Sequence, residues 1–153
     1  MRFETHSEAD TAAFGEALGA LLRPGDAVLL SGDLGAGKSV LARGIARALG
    51  VEGPMPSPSF LLMIPYEGKE KLCHFDLYRL SDPEEFYAAG LDEFIGTDAI
   101  AVIEWPEMAQ LPPCPAMKLR VERGKAETVR EIVLETEGME HPLGALANWR
   151  IED

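Results

Sequence analysis

The chain has 153 residues, of which 46% are hydrophobic, and a formal net charge of −12. This length favours one domain over residues 1–153, and no apolar run is long enough to cross a membrane. The acidic balance argues against strong binding of nucleic acid by this chain alone, because neutralising phosphates requires a basic surface. No apolar leader is seen, and Cys73 and Cys114 are far apart. The sequence therefore predicts a reduced, cytoplasmic protein.

The first predicted elements form a helix, a strand and a second helix. The first helix covers about residues 8–22, with Ser7 as its expected N-cap. A short apolar strand at Ala27–Ser31 reads as part of a parallel sheet. The second helix covers residues 40–49 and stops at Gly50, since glycine favours the left-handed conformation found at helix ends.

The segment between this strand and the second helix, GDLGAGKS at residues 32–39, matches the P-loop pattern G-x-x-x-x-G-K-[ST]. Its glycines allow successive backbone N–H groups to cradle phosphates, and the next helix adds the positive end of its dipole. Lys38 would place an ammonium against phosphate oxygens, and Ser39 would offer a hydroxyl to Mg²⁺. We predict that the following residues bind a nucleotide cofactor: Gly35, Ala36, Gly37, Lys38, Ser39 and Val40.

The rest of the chain alternates short strands and turns. Residues 60–66 and 71–79 predict a hairpin, 83–89 a short helix, and 99–103 a buried strand. A second hairpin is predicted from residues 118–121 and 129–134, and the tail from residue 138 has no clear signal. The predicted fold is α/β, a three-layer P-loop NTPase-like arrangement whose mixed sheet has a parallel core and antiparallel hairpins.

Two carboxylates are candidates for catalysis and metal binding. Glu104 directly follows the buried strand, the position of a Walker B carboxylate that contacts Mg²⁺ or orients water. Strand alternation places His74, Asp76 and Tyr78 on one face, so Asp76 either supports Mg²⁺ or belongs to a solvated edge strand. His74 is interpreted as structural, because no second histidine or cysteine lies at metal-ligand spacing. Trp105 lines either the site or a partner surface, or it is buried, which is the commoner role of an aromatic residue.

Four segments together resemble the TsaE family, bacterial ATPases of tRNA threonylcarbamoyladenosine biosynthesis. They occur in the family's order: GDLGAGKS at 32–39, SPSF at 57–60, HFDLYRL at 74–80 and IEWPE at 103–107. The resemblance implies a P-loop α/β fold that hydrolyses ATP with Mg²⁺. It also implies two partners, TsaD-like and TsaB-like proteins, which install the modification on tRNA, while this chain resets the complex between turnovers.

The resemblance also implies roles for individual residues. Thr11 corresponds to a threonine near the adenine, and Ser59 to the hydroxyl of a switch-like loop, where a rigid proline turn is the alternative. The family usually has threonine at Ser39 and Ser59, and both changes keep the hydroxyl. Nucleotide, metal or catalytic roles are implied for four residues: Lys38, Ser39, Asp76 and Glu104.

Two other function classes remain open at this point. A small-molecule kinase can also be built on a P-loop, but it needs an acceptor site and usually a lid that supplies arginines. The candidate arginines are Arg43, Arg47 and Arg79. A nucleotide-gated interaction module would need little hydrolysis, and the two carboxylates count against it. ATP turnover with small acceptors and with the two partners separates these classes.

Overall fold

The computed structural model describes residues 1–53, 55–56, 58 and 61–152. Across those residues, eight strands and three α-helices are formed. In chain order they are β1 (Arg2–Thr5), α1 (Glu8–Gly19), β2 (Ala27–Ser31), α2 (Lys38–Ala48), β3 (Met63–Glu67), β4 (Lys71–Asp76), α3 (Glu84–Ala88), β5 (Ile100–Glu104), β6 (Ala116–Arg123), β7 (Arg130–Glu137) and β8 (Arg150–Ile151). Short 3₁₀ helices lie at Leu91–Phe94, Pro106–Met108 and Leu143–Trp149.

The strands form one mixed sheet in the order β3-β4-β5-β2-β6-β7-β1-β8. The strand before the P-loop, β2, is parallel to both of its neighbours, β5 and β6, and β4 extends the parallel set beyond β5. The outer strands pair antiparallel. Because the carboxyl ends of parallel strands meet at one edge, Asp76 on β4 and Glu104 on β5 lie beside the P-loop, and the two carboxylates pair in register.

Both faces of the sheet are covered, which confirms the predicted three-layer α/β class. Under α1 and α2, one face is packed by large apolar side chains, among them Phe14, Leu18, Val28, Leu30, Leu41 and Ile45. The opposite face packs against α3 and the 3₁₀ helix after it, through residues that include Phe75, Leu77, Phe86, Leu91, Ile95 and Ile103. Burial on two faces explains why β2 and β5 are continuous apolar runs rather than alternating ones.

Glycine is required where α1 crosses α2. A Cβ added at Gly44 would lie 2.3 Å from the carbonyl oxygen of Ala12, and one added at Gly15 would lie 2.5 Å from the carbonyl oxygen of Leu41. Both obstacles are backbone atoms, so a larger residue must separate the helices. The close approach fixes α2, whose first turn follows the P-loop, against the helix that carries Thr11.

Substituting Gly44 by alanine is expected to lower the free energy of unfolding by about 1–3 kcal/mol, although alanine favours helix, because the added methyl overlaps backbone. Urea denaturation measures the change. The matched control is Gly144→Ala, since a Cβ there meets no atom within 4 Å, and its effect should stay within about 0.5 kcal/mol. Equal losses in both variants would contradict the close-packing argument.

The two ends of the chain contain structure that the sequence did not predict. Strand β1 inserts between β7 and β8, and the tail forms a 3₁₀ helix before β8. The Trp149 Nε1–H donates to Asp10 Oδ1 at 2.8 Å, and its ring packs edge-on against Phe14. These contacts join residues from opposite ends of the chain, so no local pattern reports them.

Several predicted boundaries also shift. Ser7 caps α1 as expected, its side chain accepting the Asp10 N–H at 2.9 Å, but the helix ends at Gly19. The predicted strand 71–79 ends at Asp76, because the Asp76 carboxylate accepts the Tyr78 N–H at 3.0 Å and turns the chain. The hairpin at β6 and β7 is longer than predicted. Among the described residues, no helix has both the length and the apolar character needed to cross a membrane.

Candidate nucleotide-binding site

A cavity of about 580 Å³ opens at the carboxyl ends of the parallel strands. Most of the predicted site residues line it, namely Thr11, Gly35, Gly37, Lys38, Ser39, Val40, Asp76 and Glu104. The turn between β6 and β7 and the start of β7 add a wall that was not predicted, through Glu127 and Thr128 in the turn and Arg130 in the strand. Residues predicted from separate segments of the sequence therefore line one cavity, and one side of that cavity was not predicted.

The P-loop backbone bends through left-handed glycines. Gly32, Gly35 and Gly37 have φ values of 137°, 77° and 108°, a region that side chains with a Cβ rarely enter. Ala36, predicted to bind nucleotide, is buried, and its carbonyl oxygen accepts the Arg130 Nε–H at 2.8 Å. This bond ties the loop to β7, which lies on the far side of β6.

Lys38 lies inside the cavity wall and is only 5% exposed. Its Nζ donates to the Gly32 carbonyl oxygen at 2.6 Å and lies 3.5 Å from the centre of the Trp105 ring. Burial lowers the pKa of Lys38, since desolvation disfavours the ammonium, and four carboxylates oppose that shift: Glu104, Glu107, Asp76 and Asp33. The P-loop thus holds the Lys38 ammonium at the cavity wall, beside the space that the P-loop pattern assigns to phosphate.

Trp105 is half-buried, and it both lines the cavity and packs against the core beneath it. Its backbone is left-handed, with φ 58° and ψ 50°, which costs a bulky residue about 1–3 kcal/mol. Its backbone N–H donates to the Leu30 carbonyl oxygen at 3.2 Å, and its ring centre lies 4.8 Å from that of Tyr78. This strained backbone turns the indole over the Lys38 ammonium, where a cation–π contact forms.

Glu104 joins the P-loop to the strand edge. Its carboxylate is buried, and Oε1 accepts a long hydrogen bond of 3.5 Å from the Ser39 hydroxyl. Its other oxygen, Oε2, lies 2.7 Å from Nε2 of His74. Asp76 is also buried and stands next to Glu104 on the adjoining strand. Strand alternation predicted the shared side of His74 and Asp76, but the contact of His74 with Glu104 was missed.

Of two further predicted site residues, Thr11 and Ser59, the structure describes only Thr11. Thr11 is 2% exposed, with its hydroxyl oxygen 2.6 Å from that of Thr5 and within 3.1 Å of the Ser7 carbonyl oxygen, to which it donates. It lines the cavity from α1. Ser59 lies outside the described residues, so its switch-like role stays a prediction.

The donors at the strand edge have the chemistry that Mg²⁺ prefers. Ser39 provides a hydroxyl, Glu104 and Asp76 provide carboxylates, and all three line one cavity. Mg²⁺ in nucleotide sites commonly uses one or two protein oxygens together with phosphate oxygens and water. Within the described ranges, no group of three or more His, Cys, Asp or Glu side chains has the arrangement of a metal site.

The fold and this cavity together define a P-loop-like α/β protein. A crystal structure of YdiB from Bacillus subtilis is similar to this chain, with a TM-score of 0.72 and 29% identity, and the match covers 86% of this chain and 82% of that one. The likeness extends over most of both chains, and it supports the predicted fold class.

Sequence comparisons identify the family. Residues 5–132 match the family model described as threonylcarbamoyl adenosine biosynthesis protein TsaE. A Mycobacterium leprae protein named tRNA threonylcarbamoyladenosine biosynthesis protein TsaE is 44% identical over 133 residues, or 79% of this chain and 81% of that protein. A Treponema pallidum protein of the same name is 40% identical over 107 residues, or 70% and 79%. The chain belongs to the TsaE family, which functions in tRNA threonylcarbamoyladenosine biosynthesis.

Proposed function

We propose that this chain binds ATP with Mg²⁺ in the cavity and hydrolyses the ATP to ADP and phosphate. The turnover would support formation of threonylcarbamoyladenosine in tRNA by a complex that also contains TsaD-like and TsaB-like proteins. The observation that carries the proposal is the meeting of the P-loop with a buried carboxylate, since the Ser39 hydroxyl lies 3.5 Å from Glu104 Oε1. A phosphate-binding loop alone would bind nucleotide without a group to act on water.

Binding is assigned to the P-loop and the walls beside it. The Lys38 ammonium supplies positive charge to phosphate oxygens, while the left-handed glycines leave the loop without side chains that would block the phosphates. Thr11 on α1 lines the part of the cavity that the family resemblance assigns to the adenine. Val40, in the first turn of α2, also lines this cavity and adds an apolar contact.

Hydrolysis is assigned to the two buried carboxylates. Mg²⁺, when bound, neutralises charge on the phosphates, and the Ser39 hydroxyl and Glu104 carboxylate would hold it. Glu104 would also accept a hydrogen bond from the attacking water, and Asp76 beside it would orient water at the metal. Both carboxylates are at most 8% exposed, which strengthens their electrostatic effect relative to water.

The remaining features favour an accessory ATPase over a kinase. Two of the arginines considered as phosphate-covering groups, Arg43 and Arg47, line a separate groove that Val51 and Met55 also line. Arg47 pairs with Glu16 at 3.1 Å. The net charge of −12 supports assigning tRNA binding to the partners, because an acidic chain repels phosphates.

Product analysis tests this proposal. The purified chain is incubated with ATP and either Mg²⁺ or excess chelator, with and without the two partners and a panel of small hydroxyl and amine acceptors. We expect slow release of ADP and phosphate that needs Mg²⁺ and rises when the partners are added. Transfer of phosphate to an acceptor, with no stimulation by the partners, would replace this proposal with the kinase.

A further inference from the structure

His74 contacts the carboxylate on which the proposed reaction depends. Its Nε2 lies 2.7 Å from Glu104 Oε2, and the two side chains are 5% and 6% exposed. They stand on the adjacent parallel strands β4 and β5, so the sheet fixes the distance between their backbones. Because a carboxylate only accepts hydrogen bonds, Nε2 carries the hydrogen and donates it.

This bond determines which oxygen of Glu104 remains available. Oε2 faces the imidazole, whereas Oε1 faces the Ser39 hydroxyl at 3.5 Å, at the P-loop end of the cavity. A glutamate has three side-chain torsions, and one fixed oxygen removes most of their freedom. Positioning of a reacting group to within a fraction of an ångström strongly affects rate.

Within the described part of the chain, Glu104 is the hydrogen-bond partner of the imidazole. His74 Nδ1 is buried and has no hydrogen-bond partner among the described residues. Its neighbours along β4, Cys73 and Phe75, pack into the opposite face of the sheet and hold the backbone in place. Burying an unpaired nitrogen costs folding free energy, and an apolar side chain would fill this position without that cost. The bond to Glu104 is therefore what the histidine adds.

We propose that His74 is a positioning residue for Glu104. By holding Oε2 it keeps Oε1 directed to the Ser39 side of the cavity, where the metal and the attacking water are expected. The inference rests on the proposed function for its effect on rate, whereas the hydrogen bond and its partner are testable without any turnover.

The kinetic test compares two replacements of similar size. His74→Gln keeps a donor at nearly the reach of Nε2, and His74→Leu removes it. We expect His74→Leu to lower kcat by about 10- to 100-fold, the usual range for groups that orient a ligand or catalytic side chain, while the Kd for a non-hydrolysable ATP analogue changes less than about threefold. His74→Gln should recover most of the rate. Equal rates in wild type and a folded His74→Leu variant would overturn the proposal, as would equal losses in both variants.

A double-mutant cycle separates positioning from a general structural effect. Under single-turnover conditions with excess protein, adding His74→Leu to Glu104→Gln should lower the rate less than about twofold, because the group that His74 positions has already lost its function. If the full effect of His74→Leu persists in that background, His74 acts independently of Glu104 and the proposal fails.

Nuclear magnetic resonance of the nucleotide-free chain provides the readout without activity. Two-bond ¹H–¹⁵N spectra should show His74 as the Nε2–H tautomer, with a shifted ring signal that changes in Glu104→Leu and is preserved in a distant control, Glu140→Gln. An unchanged His74 signal in Glu104→Leu would overturn the proposal. If wild type shows this coupling but no ATP turnover with or without the partners, the proposed function fails instead.

Discussion

Replacing Lys38 with alanine should lower nucleotide affinity by about 100-fold or more and abolish turnover, while leaving the fold intact. The Lys38 ammonium is the cation of the P-loop, held between the Gly32 carbonyl oxygen at 2.6 Å and the Trp105 ring at 3.5 Å. Hydrogen bonds to charged groups contribute about 1.5–3 kcal/mol each, and the ammonium can make more than one to phosphate. Its removal takes little apolar surface from the core, so stability should change little.

Calorimetric titration with an ATP analogue and thermal unfolding, run on the same preparations, measure the two effects. Lys69→Ala is the matched control, because it removes the same charge from an exposed turn outside the cavity. Its affinity should equal that of wild type. Wild-type turnover in Lys38→Ala would contradict the assignment of residues 32–39 as a phosphate-binding loop.

The Glu104→Gln variant should lose hydrolysis by a factor of roughly 10² or more, while nucleotide affinity stays within a few-fold. The amide keeps the shape of the buried side chain and can still accept the His74 hydrogen bond, but it lacks the charge that acts on metal and water. Single-turnover hydrolysis and equilibrium binding separate the two effects. Asp76→Asn receives the same measurement and should also impair hydrolysis more than binding.

If Glu104→Gln keeps both nucleotide binding and hydrolysis, Glu104 has no catalytic role and is only the last residue of β5. A parallel loss of binding and hydrolysis would instead assign it to nucleotide binding. Thermal unfolding excludes a folding defect, and Glu140→Gln is a control that removes a charge from an exposed position outside the cavity.

The P-loop, its strand and its helix could be predicted because their signal is local. A glycine pattern, an apolar run and a helical periodicity occupy residues 27–49 without interruption, and the structure forms β2, the loop and α2 there. The parallel sheet core followed from the same logic, since strands buried on both faces are apolar throughout. The edge position of Asp76 and Glu104 then follows from strand direction alone.

The contacts that complete the site could not be predicted, because they depend on strand order and register. Arg130 reaches the Ala36 carbonyl oxygen across 94 residues of sequence, which requires β6 to pair with β2 and β7 to pair with β6. His74 meets Glu104 only because β4 pairs with β5 in one particular register. Trp105 is turned over Lys38 by a left-handed backbone that tryptophan seldom adopts. No pattern within a short segment of the sequence predicts any of these arrangements.

The most direct test of the central claim is the number of tRNA molecules modified per complex in a reconstituted reaction. TsaD-like and TsaB-like partners are combined with tRNA, the threonylcarbamoyl donor and ATP, and then with this chain as wild type, as Glu104→Gln, or omitted. We expect many modified tRNA molecules per complex with wild type, and about one or fewer with Glu104→Gln or without the chain. Equal multiple turnover with Glu104→Gln, or tight tRNA binding by the isolated chain at physiological salt, would contradict it.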